Sequence, residues 1–246
     1  MSMIIGGFQK FSLLEYPGKI GAVIFTQGCN FRCPYCHNPN LVDPNRYEET
    51  ISVESIMNFL EHRVGRLEAV TISGGEPTLQ NDLPEFIERI RAMGYSIKLD
   101  TNGSKSEVVK YLTEQKMVDY WAMDIKAPLQ LYSTICGCNV NEKEIIKSME
   151  LIRTSGKEWE FRTTYFNQVL NWNDILEIQP LLMPGDSYYL QQCNYEDTLA
   201  NIKDPHQSDL EVLFNKDVVS KTKKNSHHYS ILKEKSKIQQ IIIKMR

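Results

Sequence analysis

Short runs of β-branched and aromatic residues alternate along the chain with longer segments in which apolar residues recur every three or four positions. The runs have the composition of strands, and the longer segments have the period of amphipathic helices. One helical segment carries Val53, Ile56, Met57, Leu60 and Val64 at this spacing. The predicted strands are AVIFT (22–26), AVTIS (69–73), YSIKLD (95–100), YWAMDI (120–125), EFRTT (160–164) and SYYLQ (187–191). The pattern therefore predicts a repeated strand–helix unit.

Every connection between successive predicted strands is long enough for a parallel pairing, which needs a crossover of a dozen or more residues. Right-handed crossovers leave two arrangements for such a chain. One is an open, doubly wound sheet, and the other is a barrel with six βα units where a complete barrel has eight. Both are α/β folds with parallel strands and outer helices, and both place functional residues at the carboxyl ends of the strands.

Polar or reactive residues follow all six predicted strands. Since turns are commonly polar, one such case would mean little, but six together favour a shared site at one end of the sheet. In chain order these residues are the loop from Cys29 to Cys36, Ser73 to Pro77, Asp100 to Gly103, Asp124 with Lys126, Arg162 to Thr164, and Gln191 to Cys193.

Composition narrows the class of protein. The 246 residues are 41% hydrophobic and carry a formal net charge of −3, which allows one sizeable core and gives no field that would attract nucleic acid or a membrane surface. No apolar run approaches the ~18 residues of a spanning helix, and the first residues lack the pattern of a secretory signal. We therefore expect a cytoplasmic protein that binds neither nucleic acid nor membrane, with its six cysteines reduced.

The last part of the chain has a different character. Residues 216–246 hold nine Lys or Arg against two acidic residues, Asp217 and Glu234. We expect a core domain over residues 1–207 and a basic extension over 208–246, partly helical or disordered, in which IQQIII forms a final strand. A solvated tail and a basic docking surface for a partner are both compatible with this composition.

Three of the cysteines, Cys29, Cys33 and Cys36, fall within TQGCNFRCPYCHNP with the spacing C-x3-C-x2-C. They cannot all share one face of a regular helix or strand, so they belong to a loop that Gly and Pro punctuate. Structural zinc takes four ligands in paired knuckles. His37 directly follows Cys36, which makes joint ligation by the two awkward.

The other cysteines offer no good fourth ligand for zinc. Cys136 and Cys138 are a hundred residues away and only one residue apart, and Cys193 is alone. An iron–sulfur cubane usually takes four thiolates, so three would leave one iron open to a small molecule. We therefore expect a cluster with an open iron and dispensable Cys136, Cys138 and Cys193. Zinc and three buried structural thiols are the alternatives.

The three-cysteine loop after the first strand, with an aromatic residue, Tyr35, before the last cysteine, resembles that of the radical S-adenosylmethionine (SAM) enzymes. The resemblance implies a partial barrel of six βα units, and a 4Fe–4S cluster held by Cys29, Cys33 and Cys36. It also implies that SAM chelates the open iron through its methionyl amine and carboxylate. One electron from the cluster then cleaves SAM to methionine and a 5′-deoxyadenosyl radical, which abstracts a hydrogen atom.

Further residues take cofactor-binding roles by this resemblance. Ser73, Gly74, Gly75 and Glu76 resemble the family's GGE element, in which the glycines admit a ligand and the carboxylate meets the methionyl ammonium. Asp100 and Asp124 resemble a monovalent cation site of glycyl-radical-enzyme activases, and Lys126 follows Asp124 in the chain. The remaining predicted cofactor-binding residues are Tyr35, His37, Asp100, Thr101, Asp124, Lys126, Arg162 and Gln191.

Residues 10–42, with MDIKAP and YYLQ, resemble activases of anaerobic ribonucleoside-triphosphate reductase. The likeness covers residues 8–205 and fades in the basic tail. It implies that the chain places a radical on a glycine of a glycyl radical enzyme, the reductase subunit, with a flavodoxin- or ferredoxin-type electron donor. Six βα units would leave the barrel laterally open, giving a polypeptide loop room to enter.

Two other functions remain open from the sequence. One is a radical SAM enzyme that acts on a small molecule, such as a deazapurine synthase, which can be equally short. The other is a metal-binding module without catalytic activity that uses the barrel to dock a partner.

Overall fold

The computed structural model describes residues 3–166, 168–193 and 198–200 and the backbone of two short strands near the carboxyl terminus. The strands are β1 (Ile5–Ser12), β2 (Gly21–Thr26), β3 (Ala69–Gly74), β4 (Ser96–Thr101), β5 (Tyr120–Asp124), β6 (Glu158–Tyr165), β7 (Ser187–Gln192), β8 (Tyr229–Ser230) and β9 (Ile242–Met245). The α-helices are α1 (Pro39–Val42), α2 (Val53–Glu61), α3 (Leu83–Ala92), α4 (Ser106–Glu114), α5 (Tyr132–Ile135), α6 (Glu142–Arg153) and α7 (Trp172–Leu176). None of the described helices has the length and apolarity to cross a membrane.

The strands form one sheet whose order follows the chain from β1 to β7 and then continues with β9 and β8. Strands β2 to β7 pair parallel with one another. A doubly wound sheet reverses its strand order at a switch point, whereas a barrel keeps sequential order. The α/β prediction is confirmed, and the sheet corresponds to a partial barrel with β1 and β8 at its two edges.

The six predicted strands appear as β2 to β7, with bounds that differ from the prediction by no more than two residues. Strands β2 and β3 are buried on both faces along most of their length, as parallel strands are when helices cover the sheet. Ser52 caps the N-terminus of α2, and its side chain accepts a hydrogen bond from the Ser55 N–H. The same helix buries Ile56, Met57 and Leu60, as the three-four spacing predicted, but it ends at Glu61, and Val64 lies beyond it and is exposed.

Strand β1 was not predicted, because its sequence begins IGGFQ and two consecutive glycines weaken a strand pattern. It pairs antiparallel with β2. A Cβ on Gly6 would lie 2.5 Å from the Leu41 side chain, so the glycine allows α1 to lie close to this strand. The parallel part of the sheet therefore begins beside an antiparallel edge strand. The formation of this strand is explained by its packing and not by the strand propensity of its sequence.

The predicted boundary at residue 207 lies outside the described residues. Within the extension, Ile242–Met245 forms β9, which pairs parallel with β7 in the register Ser187↔Ile242. Strand β8 pairs antiparallel with β9. The sheet thus continues beyond β7 with strands from the basic extension.

Candidate active site

The three-cysteine loop leaves the carboxyl end of β2 and is tied to the rest of the barrel by its backbone. The Gly28 N–H donates to the Leu41 carbonyl at 2.7 Å, and the Gly28 carbonyl accepts from the Glu76 N–H at 2.8 Å. Within the loop the Arg32 guanidinium donates to the Cys29 carbonyl at 2.7 Å. The start of the loop is therefore held between α1 and the turn after β3.

The three thiols lie in different local environments. Cys33 is buried, whereas Cys29 and Cys36 are partly exposed. Burial raises the pKa of the Cys29 thiol to about 12 and also raises the pKa of Cys36. A hydrogen bond with the thiol of Cys136 lowers the pKa of Cys33 to about 7. Cys33 is thus the thiol that ionises most easily, and metal binding must displace protons from the other two.

Gly74 and Gly75 are required by a close approach between two backbone segments. A Cβ on Gly75 would lie 2.0 Å from the Gly28 carbonyl oxygen, and one on Gly74 would lie 2.3 Å from the Thr26 nitrogen. Gly74 also has φ +116, which side chains rarely adopt. The sequence predicted that these glycines admit a ligand. The structure gives them a second use, because they let the turn after β3 contact the start of the cysteine loop.

Glu76 follows the glycine pair and is buried, with 1% of its surface exposed. Its Oε1 accepts from the Thr78 N–H at 3.1 Å, from the Thr78 hydroxyl at 2.5 Å and from the Thr101 hydroxyl at 2.7 Å. Its Oε2 accepts from the Asn102 N–H at 2.7 Å. Burial raises the pKa of this carboxyl against the opposing effect of these donors. Glu76 therefore connects the loops after β3 and β4, and the lone-pair capacity that remains is on Oε2.

Asp100, near the end of β4, lies among cationic and polar side chains. Its Oδ1 accepts from Lys98 Nζ at 2.5 Å, and its Oδ2 accepts from the Ser73 hydroxyl at 3.0 Å and from Arg162 Nη1 at 3.3 Å. Lys98 is fully buried and shares one face of the strand with Asp100, two residues on. Burial alone would raise the pKa of Asp100, but the charges of Arg162 and Lys98 hold it below its usual value.

Asp124, at the end of β5, has a similar environment. Its Oδ1 accepts from Arg162 Nε at 2.8 Å and its Oδ2 from Lys126 Nζ at 2.8 Å. Arg162 is the register partner of Asp124 in the neighbouring strand β6. Burial opposes ionisation here too, but Arg162 and Lys126 lower the pKa of Asp124 well below its ordinary range. Both aspartates are therefore ionised at neutral pH.

The remaining predicted residues differ in how closely they join this centre. Tyr35 is buried against Phe166, with ring centroids 5.7 Å apart, and within the described residues its hydroxyl has no hydrogen-bond partner. His37 is exposed on the loop. Gln191 is partly exposed in β7, where it pairs in register with Thr164, and no described hydrogen bond connects it to the other candidates.

Cys136, Asn102 and Lys98 also belong to this region, and of these only Asn102 was predicted from the sequence to lie at a strand end, without a role of its own. The Cys136 carbonyl accepts from the Arg32 N–H at 2.7 Å, which brings α5 against the cysteine loop. Asn102 Nδ2 lies 3.9 Å from Cys29 Sγ. The third is Lys98, and its signal was a charged residue inside an otherwise apolar strand run. No such signal marked Cys136, because Cys33, the thiol that it contacts, is about a hundred residues away in the chain.

Comparison with known proteins agrees with this site. The model of the radical SAM superfamily matches residues 23–178. A Methanocaldococcus jannaschii protein provisionally named a glycyl-radical enzyme activating enzyme is 32% identical over 222 residues, which cover 87% of this chain and 91% of that protein. A second protein of that organism, with the same provisional name, is 30% identical over 77% of this chain and 72% of its own length. The 7-carboxy-7-deazaguanine synthase of Aquifex aeolicus is 33% identical over 35% of this chain and 38% of that protein.

Among solved structures, Streptococcus suis SuiB bound to the precursor peptide SuiA has a similar fold, with a TM-score of 0.62. It is 18% identical, and the match covers 78% of this chain but 44% of SuiB, so this chain spans less than half of SuiB's length. At this identity the likeness shows the fold alone. This chain belongs to the radical SAM superfamily and is an enzyme, as the family match and the M. jannaschii relatives together show.

Superfamily membership implies a 4Fe–4S cluster and SAM, and the residues present fit the cluster. Thiolates are the soft ligands that iron–sulfur clusters take, and three of them come from one loop. In the described part of the chain no three His, Cys, Asp or Glu side chains converge as ligands of a single metal ion would. Cysteines that bind a cluster attach to different irons, so they need not converge on one point.

Proposed function

We propose that this enzyme is a radical SAM activase that generates a glycyl radical on a partner protein, with anaerobic ribonucleoside-triphosphate reductase as its target. The observation that carries the activase class is the match to the M. jannaschii activating-enzyme relative over 87% of this chain. The deazaguanine synthase shares only 35% of the chain. The reductase as target rests on the resemblance of residues 10–42 to reductase activases.

In this proposal Cys29, Cys33 and Cys36 hold the cluster and leave one iron for SAM. When bound, the cluster and SAM supply one electron and a 5′-deoxyadenosyl radical that abstracts hydrogen. The chain supports the site by burying Cys33 beside Cys136 and by fixing the start of the loop against Glu76. Cys29 and Cys36 are partly exposed, and exposed iron–sulfur clusters oxidise readily, so we expect activity under anaerobic conditions only.

Lys126 and Glu76 are the residues that we assign to the charged groups of SAM. Among the described residues Lys126 Nζ donates to Asp124, and an ammonium has three donors, so we assign the other two to the methionyl carboxylate. Glu76 retains acceptor capacity on Oε2 for the methionyl ammonium. Tyr35, whose buried hydroxyl lacks a partner in the described residues, is a further candidate for SAM contact. Burial lowers the pKa of Lys126, but Asp124 raises it above the usual value, so the amine stays charged.

A protein substrate agrees with the open sheet. Strands β1 and β8 lie at opposite edges and do not pair among the described strands, so the partial barrel has a side through which a polypeptide loop can reach the site. We propose a flavodoxin- or ferredoxin-type protein as electron donor, and a cytoplasmic location. The basic extension is a candidate docking surface for the partner.

The monovalent cation predicted at Asp100 and Asp124 fits the described residues poorly. All four carboxylate oxygens accept hydrogen bonds from other side chains, chiefly Lys98, Lys126 and Arg162. The Thr101 hydroxyl donates to Glu76. A metal cation would therefore have to displace cationic side chains from these oxygens.

The experiment is anaerobic electron paramagnetic resonance (EPR) of the reduced, cluster-loaded enzyme mixed with SAM and the reductase subunit. The proposal predicts a glycyl radical signal and formation of 5′-deoxyadenosine, both absent with Cys33→Ala. Cleavage of SAM that depends on a small substrate, with no radical on the reductase, would establish the small-molecule alternative instead. Purified protein that holds zinc and no acid-labile sulfide would indicate a metal-binding module.

A further inference from the structure

Two carboxylates at the carboxyl ends of β4 and β5 share one guanidinium. Arg162 donates through Nε to Asp124 at 2.8 Å and through Nη1 to Asp100 at 3.3 Å. Only 8% of the Arg162 surface is exposed. The guanidinium therefore lies between the two aspartates, where a cation that bridges both carboxylates would have to bind.

The charge of Arg162 is permanent in this position. A guanidinium does not lose its proton in proteins. Burial disfavours the charge, but Asp100 and Asp124 raise the pKa of Arg162 further above its ordinary value. The side chain thus supplies a fixed positive charge to the aspartate pair at every accessible pH.

In the part of the chain that the structure describes, the charged side chains around Arg162 balance one another. Asp100, Asp124 and Glu160 provide three negative charges, and Glu160 lies 3.9 Å from Arg162. Three cations, Lys98, Lys126 and Arg162, are within ion-pair distance of these carboxylates. A metal ion added to this buried group would bring a charge that none of these side chains compensates, which is unfavourable in a region of low dielectric.

We propose that Arg162 is the built-in counter-ion of the Asp100–Asp124 pair, and that this enzyme binds SAM without a bound monovalent metal ion. Arg162 is then a positioning residue, which holds Asp124 and, through it, the ammonium of Lys126. The inference goes beyond the proposed function, since it rests on superfamily membership and on these contacts and not on the identity of the substrate.

The first test measures the dissociation constant of SAM for the cluster-loaded enzyme in potassium, sodium and tetramethylammonium chloride at one ionic strength. Tetramethylammonium is too large to enter between the two carboxylates. We expect the wild type to give the same constant in all three salts. Arg162→Gln vacates the central position, so its SAM affinity should be about tenfold higher in potassium than in tetramethylammonium, a usual magnitude for coupled ligands.

Arg89→Gln is the matched control, because Arg89 pairs with Glu54 at an exposed surface away from the site. It should behave as the wild type does in all three salts. A wild-type enzyme whose SAM affinity depends on potassium or sodium would overturn the proposal. So would an Arg162→Gln variant that folds and binds SAM equally in every salt.

A second measurement does not depend on the folding of a variant. Crystals of the wild-type holoenzyme are soaked in rubidium chloride, and anomalous scattering locates the ions. We expect no rubidium between Asp100 and Asp124, and an ion at that position would overturn the proposal. Neither measurement uses the partner protein, so a failure of the activase proposal would be distinguishable from a failure of this one.

Discussion

At the residue scale, Cys136 is the side chain that bears most directly on the number of cluster ligands. It is buried beside Cys33 and is the nearest candidate for a fourth thiolate. Its pKa is raised far above the usual value, first by the hydrogen bond with Cys33 and then by burial, so it is the donor of the pair. Metal binding displaces protons from thiols whose pKa is raised, as it must at Cys29 and Cys36, so the raised pKa of Cys136 favours its role as a donor to Cys33 but does not decide whether it ligates iron.

We predict that Cys136→Ser retains the iron and acid-labile sulfide content of the wild type after anaerobic reconstitution, because serine keeps a donor at this position. Cys33→Ala, in contrast, should lose the cluster or hold an inactive one. Iron and sulfide analysis of both variants gives the answer. Loss of iron from Cys136→Ser would identify Cys136 as a ligand and remove the open corner.

Glu76 is the second residue with a testable double role. In Glu76→Gln one carboxylate oxygen becomes an amide NH2 group. This group either faces the Asn102 N–H, which then loses its acceptor, or faces the hydroxyls of Thr78 and Thr101. We expect the free energy of unfolding to fall by about 1–3 kcal/mol, the cost of one buried unpaired group, and SAM affinity to weaken as well. Thr78→Val is the control that removes a hydroxyl donor and leaves the carboxylate. Unchanged SAM affinity in a folded Glu76→Gln enzyme would remove Glu76 from the SAM site.

At the scale of elements, most of the barrel could be predicted, because parallel strands covered by helices are continuous apolar runs separated by long amphipathic segments. Strand β1 escaped prediction because Gly6 and Gly7 serve packing against α1 and β2 and not strand propensity. The pairing of Arg162 with Asp124 also escaped, since it depends on the register between β5 and β6. Residues at strand ends were thus recognisable as a group, whereas their partners were not.

The contact between the turns after β2 and β3 makes a prediction for Gly75. Gly75→Ala places a Cβ 2.0 Å from the Gly28 carbonyl oxygen, so the two turns must separate and the cysteine loop must shift. We expect lower stability and lower cluster occupancy. Gly65→Ala is the control, because it has φ +76 but no atom within 4 Å of an added Cβ, and it should cost backbone strain alone. Equal iron content in Gly75→Ala and wild type would show that the contact does not position the loop.

Asp119 joins three elements at the opposite end of the sheet. It accepts from the Ile97 N–H at 3.0 Å and pairs with Arg91 and Lys157. Burial raises its pKa, but that hydrogen bond and the two cations lower it below the ordinary value. A carboxyl whose pKa is depressed in the folded state stabilises the fold above its unfolded pKa of about 3.9. That stabilisation is lost as the pH falls through the folded pKa.

We therefore predict that Asp119→Asn is less stable than the wild type at neutral pH, and that the difference shrinks below about pH 4. Urea unfolding of both proteins across the acid range measures it. A difference that stays constant with pH would mean that the charge of Asp119 contributes nothing. Glu54→Gln is the control, because it removes an exposed carboxylate whose partner is Arg89 and leaves the Asp119 cluster intact.

At the scale of the whole molecule, the sequential sheet brings six strand ends together, so that the cysteine loop, the Glu76 turn and the ion pairs around Arg162 form one region. The carboxylates of Asp100 and Asp124 are paired with cations in this region, which leaves the thiol loop, Glu76 and the ammonium of Lys126 as the groups that we assign to the cluster and to SAM. The basic extension contributes β8 and β9 to the sheet edge opposite β1. A protein partner can therefore approach the side on which the barrel does not close.

The most direct measurement is the EPR spectrum of the anaerobically reduced, cluster-loaded enzyme before and after addition of SAM. If one iron lacks a protein ligand, SAM binds it, and the spectrum of the reduced cluster changes when SAM is added. A cluster spectrum that SAM leaves unchanged, in a protein with full iron and sulfide content, would mean that a fourth protein ligand holds that iron and would contradict the proposed chemistry.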